Sequence, residues 1–121
     1  MRFRLVSALL IAAACGGGGG SDGGPTAPII PSTPATPVAT TSVSLQSNLF
    51  NPENIVVSPS AVVTFTNNDN IAHNVVFANQ AIGSVGQWSS GDRTITMPAT
   101  AGTYSYTCTI HAGMNGTVKV Q

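Results

Sequence analysis

Near its C-terminus the chain reads Tyr104-Ser105-Tyr106-Thr107-Cys108-Thr109-Ile110-His111-Ala112-Gly113-Met114-Asn115-Gly116-Thr117-Val118-Lys119-Val120. Tyr104, Tyr106 and Cys108 fall at every second position, and so do Val118 and Val120, which is the period of a strand with one buried face. The same period runs upstream. Val43 and Leu45 alternate; Ala61, Val63 and Phe65 alternate with Val62, Thr64 and Thr66; His73, Val75 and Phe77 share a face. Ile55-Val56-Val57 leads into Ser58-Pro59-Ser60, and Arg93-Thr94-Ile95-Thr96-Met97 is stopped by Pro98. Asn67-Asn68-Asp69-Asn70 reads as a turn, with Asp69 and Asp92 as turn residues. Beyond the N-terminal apolar run no stretch keeps a helical period over three turns. Short strands separated by turn signals predict an all-β sandwich of about seven to eight strands. Tyr104 and Tyr106 read as core. Trp88 falls in the Gly83-to-Gly91 loop region, where it would either pack under the sheet or face a partner.

Between the last two strands a thiolate (Cys108), an imidazole (His111) and a thioether (Met114) lie within seven residues. A second imidazole, His73, begins an upstream strand. Two His and one Cys in a plane, with a weak axial Met, suit copper that changes oxidation state. Cu(I) prefers sulfur, Cu(II) accepts imidazole, and this mixed set serves both. The spacing supplies the geometry. Cys108 ends a strand pointing inward, Thr109 and Ile110 start a turn that returns His111, and Ala112-Gly113 forms a tight loop presenting Met114. His73 arrives from a separate strand, so the site closes only on folding.

Several segments resemble the cupredoxins, with plastocyanin and amicyanin the nearest likeness. They are Phe50-Asn51-Pro52-Glu53-Asn54-Ile55-Val56-Val57, Val63-Thr64-Phe65-Thr66-Asn67-Asn68-Asp69, His73-Asn74-Val75, and Gly102 through Val120. The likeness extends from Ser42 to Gln121, and the short His-x-x-Met loop is the amicyanin length. It implies a Greek-key sandwich with a copper site at one end and one type 1 (blue) copper ion held by His73, Cys108, His111 and Met114. It also implies that Asn74 ties the two ligand loops together beside the Cys sulfur, and that electrons leave through the exposed edge of His111. Two positions depart from the family's habit: Ile110 stands where Pro is common before the second His, and Ser60 where Gly is common in the turn.

The N-terminus carries a different message. Arg2 and Arg4 precede Leu5-Val6-Ser7-Ala8-Leu9-Leu10-Ile11 and Ala12-Ala13-Ala14, the parts of a secretory signal over residues 1–14. The run is too short to span a bilayer, which takes about 20 residues. Ile11-Ala12-Ala13-Ala14-Cys15 resembles a bacterial lipoprotein lipobox, which implies lipidation of Cys15 and an exported protein anchored to a membrane. Cleavage after an Ala would instead give a soluble periplasmic protein. Residues 15–41 are Gly-, Pro- and Thr-rich, too polar and too poor in apolar surface to order themselves, and read as a tether spanning tens of Å. The folded domain is assigned to residues 42–121. That is small for a sandwich, so a bound metal would add needed stability.

Composition removes other classes. Charged residues are 7% of the chain and the formal net charge is zero, with Arg93 and Lys119 the only cations outside the signal. No basic patch exists to hold nucleic acid. The chain has two histidines in total. A copper oxidase or nitrite reductase needs further His-rich centres, and a serine nucleophile needs a His base, so an enzyme is not expected. The expectation is a monomeric electron-transfer protein with redox protein partners. The alternative is a copper chaperone, buffer or sensor using the same ligands.

Overall fold

The computed structural model describes residues 35–121. The signal segment, Cys15 and most of the tether lie outside the described residues. Among the described residues there are ten strands: β1 (Val38–Ala39), β2 (Ser42–Gln46), β3 (Leu49–Asn51), β4 (Asn54–Val57), β5 (Val62–Asn67), β6 (His73–Phe77), β7 (Ser84–Trp88), β8 (Gly91–Thr96), β9 (Gly102–Thr107) and β10 (Asn115–Val120). They form two mixed sheets, ordered β1-β4-β10-β9-β6-β7 and β3-β2-β5-β8. The fold is all-β, as the alternation predicts, but with more strands than seven or eight.

The additional strands have a common cause. β1 and β3 are two and three residues long, and β7 is an edge strand of mostly exposed residues. Such strands are held by backbone ladder bonds to a neighbour, so they need no apolar alternation of their own. β1 lies in the tract assigned to the tether. Val38 and Ala39 pair in parallel with Ile55 and Val56 of β4, so ordered structure begins before Ser42. β7 lies in the region read as a loop and pairs with β6, placing Trp88 opposite His73.

Residues of the predicted strand faces meet between the sheets. Val43, Leu45, Ile55, Val63, Phe65, Val75, Phe77, Tyr106, Val118 and Val120 are all buried. Tyr106 is the hub: its ring lies 4.8 Å from Phe50, 5.4 Å from Phe65 and 5.2 Å from Phe77, centroid to centroid. Burial, with a smaller push from Glu53, drives the Tyr106 phenol above its ordinary pKa, so it stays neutral. A Cβ at Gly116 would run into this ring and the Glu53 carbonyl, so the start of β10 requires Gly. Tyr104 donates from its hydroxyl to Thr100 O at 2.7 Å, four residues upstream, an arrangement that pins a strand to the corner before it. The turn between β2 and β3 is two residues, Ser47 and Asn48, with φ of 55° and 57°, the left-handed pair of a type I′ hairpin.

Candidate metal centre

Three of the four candidate ligands emerge at one end of the sandwich from strand ends of the larger sheet. Cys108 follows β9, Met114 precedes β10, and His73 opens β6. β6 runs antiparallel to β9, with Val76 opposite Thr107 and Phe77 opposite Tyr106. His73 therefore projects past the end of β9, level with the loop that carries His111. One ligand atom from each of His73, Cys108 and His111 lies within 4.8 Å of the others. Cys108 Sγ is 3.9 Å from His73 Nδ1 and 3.5 Å from His111 Nδ1. The rings of the two histidines are 4.7 Å apart and inclined at 56°.

These separations fit a metal. Divalent zinc, a neighbour of copper, binds Cys S at about 2.3 Å and His N at about 2.0–2.1 Å. Three such bonds spread in a plane would hold S and N about 3.8 Å apart, from the same bond lengths. The observed pairs straddle that value. The donor chemistry, two imidazoles and a thiolate, selects copper over a hard cation.

The loop between Cys108 and Met114 closes on itself. The Cys108 N–H donates to Met114 O at 2.9 Å, Thr107 Oγ1 donates to the same oxygen at 3.0 Å, and the Met114 N–H donates to His111 O at 3.4 Å. Gly113 has φ 80°, a left-handed conformation that Gly adopts without a Cβ penalty. Met114 and His73 are fully buried, Cys108 nearly so, and His111 is half-buried. His111 is thus the most solvent-accessible of the four.

Asn74 joins the two ligand segments. Its Nδ2 donates to Thr109 Oγ1 at 2.7 Å, and its Oδ1 accepts from the Thr109 N–H at 2.8 Å. Sequence reasoning missed Asp69, which it read as a turn residue. Asp69 Oδ2 lies 2.8 Å from His73 Nε2. The N–H groups of Ser47 and Asn48 donate to the same carboxylate, at 2.6 Å to Oδ1 and 3.1 Å to Oδ2. Burial pushes this carboxyl up, but the Asn48 and Ser47 amides and the His73 ring outweigh it and hold the group below the usual aspartate value. The available sequence signal was an acidic residue four positions before a candidate ligand. Behind Asp69, buried Asn67 donates from Nδ2 to Ile71 O at 2.9 Å and Trp88 O at 2.8 Å, and accepts from the Asp69 N–H. Trp88 is buried, its indole N–H donating to Gly91 O at 2.9 Å.

A two-sheet Greek-key sandwich with a Cys, two His and a Met at one end defines a mononuclear copper protein of the cupredoxin class. The family model described as "Copper binding proteins, plastocyanin/azurin family" matches residues 38–121. The chain belongs to this family, whose members bind one copper ion. Plastocyanin from Scenedesmus fuscus is 33% identical over 85 residues, covering 60% of this chain and 87% of the plastocyanin. Solved amicyanin structures share the fold. A reduced tryptophan-to-tyrosine mutant of amicyanin superposes with a TM-score of 0.60 at 26% identity, over 69% of this chain and 82% of the amicyanin. The reduced Cu(I) form at pH 4 of a proline-to-glycine mutant of amicyanin gives 0.61 at 25% identity, over 72% and 87%.

Proposed function

We propose that the protein is a type 1 copper electron carrier, with His73, Cys108 and His111 as the planar ligands and Met114 as the weak axial one. The observation that carries this reading is the convergence of one thiolate and two imidazole nitrogens, 3.5 and 3.9 Å from sulfur to nitrogen, on strand ends of a rigid sandwich. Copper in such a site supplies one-electron exchange between Cu(I) and Cu(II). The chain's own residues keep the donors fixed in both states. Asn74 locks the His73 strand to the Cys108 loop, and the Cys108 N–H and Thr107 hydroxyl hold the Met114 carbonyl.

Electrons enter and leave at the half-buried His111. Ile110 beside it and Ile71 two residues before His73 are exposed apolar side chains, 41% and 45% accessible. With so few charges on the chain, docking of redox protein partners rests on apolar contact more than on electrostatic steering. The domain works as a monomer exported to the periplasm or cell exterior, anchored to a membrane through lipid on Cys15, and it neither catalyses a reaction nor binds nucleic acid. Among the described residues no helix is long and apolar enough to cross a membrane.

The test is addition of Cu(II) to the copper-free protein. An intense visible thiolate-to-copper band, with fast electron self-exchange and a reversible voltammetric wave, is expected. A colourless product with an ordinary copper EPR spectrum overturns the assignment. Mass spectrometry of the mature N-terminus tests the lipid on Cys15.

A further inference from the structure

His73 is approached from the smaller sheet by a part of the chain with no ligand in it. The β2–β3 turn puts Ser47 and Asn48 in the left-handed conformation at consecutive positions, which turns both of their N–H groups onto the Asp69 carboxylate. Consecutive backbone N–H groups arranged this way form a concave anion site. Here its anion comes from the chain itself. Asp69 lies on the crossover from β5 in the smaller sheet to β6 in the larger one, and its Oδ2 reaches His73 Nε2. An ionised carboxylate has only acceptors, so Nε2 must carry the proton. Nδ1 then presents its lone pair on the side of the Cys108 sulfur, 3.9 Å away.

We propose that Asp69, clamped by the Ser47 and Asn48 amides, is a positioning residue for His73: it fixes the ring as the Nε2–H tautomer and sets a negative charge behind the imidazole that favours Cu(II) over Cu(I). The effect on oxidation state rests on the copper reading above; the tautomer does not. A carboxylate on the far nitrogen of a metal-ligating His raises the basicity of the ligand and fixes its orientation. The β2–β3 turn thereby becomes part of the metal centre without touching it. Asp69 is 14% exposed at its side chain and His73 is fully enclosed, so solvent screens the pair only weakly.

The first measurement needs no variant. Long-range proton–nitrogen NMR correlations of the copper-free full chain are expected to show a single Nε2–H tautomer for His73, with a strongly downfield Ser47 amide. A mixture of tautomers, or the Nδ1–H form, overturns the proposal. Asp69→Ala is then expected to release His73 into both tautomers and to weaken copper binding about 10- to 100-fold. Asp69→Asn keeps the shape and removes the charge. It should lower the preference for Cu(II) about tenfold, a rise of about 59 mV in reduction potential.

Asp92→Asn is the control. Asp92 also bonds within the smaller sheet, accepting from Thr66 Oγ1 at 2.7 Å, and it touches no ligand. It should leave tautomer and potential unchanged. Equal shifts from both Asn variants would reduce Asp69 to a general electrostatic contribution and overturn the positioning role. Should the protein fail to form a blue site yet show a single His73 tautomer that Asp69→Ala releases, the copper reading falls and the tautomer role of Asp69 stands.

Discussion

Asn74 and Thr109 hold each other by two hydrogen bonds, one from the amide group to the hydroxyl and one from backbone N–H to the amide oxygen. Each residue directly follows a candidate ligand, so the pair fixes the distance between the His73 and Cys108 segments. Asn74→Ala removes both bonds. At about 0.5–1.5 kcal/mol each, the loss should be about 1–3 kcal/mol in urea denaturation. Thr109→Val keeps the backbone donor and should cost about half as much. A double-mutant cycle checks the coupling: the two losses should fail to add.

Removing copper is expected to destabilise the fold, because His73, Cys108 and His111 converge only once β6 has paired with β9 and the loop between β9 and β10 has closed. A metal present at a thousandfold excess over its dissociation constant contributes about 4 kcal/mol. For a domain of this size each 1 kcal/mol shifts the melting temperature by about 4–8 °C. Calorimetry before and after chelation measures the difference. Cys108→Ser should abolish the visible band and most of this stabilisation together.

Acid should weaken the copper-free fold through Asp69. Its carboxyl is held below the ordinary value of 3.8 in the folded state. A depressed carboxyl stabilises the fold above its unfolded pKa, and that contribution fades as pH falls through the folded value. Stability of the wild-type protein should therefore decline as pH drops below 3.8, and Asp69→Asn should show a shallower decline there. Parallel stability curves for the two proteins would exclude Asp69 as the source.

Ser60 occupies a left-handed conformation, φ 60°, while its N–H donates to Pro98 O at 3.2 Å. A side chain with a Cβ pays about 1–2 kcal/mol there, part of which is returned by the lower entropy of the unfolded chain relative to Gly. Ser60→Gly should thus stabilise the protein by about 0.5–1 kcal/mol, read as a higher denaturant midpoint at unchanged slope. The turn lies on the β4–β5 connection, so the visible spectrum of the copper form should not move.

The parts of the fold and site legible in the sequence are those set by short-range rules. Alternation in Val43–Leu45, Val63–Phe65, Val75–Phe77 and Tyr104–Cys108 reports burial directly, because a strand's side chains point to opposite faces in turn. The donors Cys108, His111 and Met114 were visible because one tight loop holds them. Trp88 could not be placed from sequence, since an edge strand such as β7 is defined by its partner's backbone and not by its own side chains.

Thus the sequence by itself determined the strand faces, a property of residues near one another in the chain, and the kinds of donor atom on offer, a property of the side chains themselves. The tertiary structure decided which distant residues brace those donors. Asp69 reaches His73 because a crossover between sheets bends it there, and it stays because the Ser47–Asn48 turn, more than twenty residues upstream, presents two N–H groups to it. Hydrogen bonds of that range leave no periodic trace, because they depend on which strands pair and where the chain crosses between sheets, not on how one strand alternates.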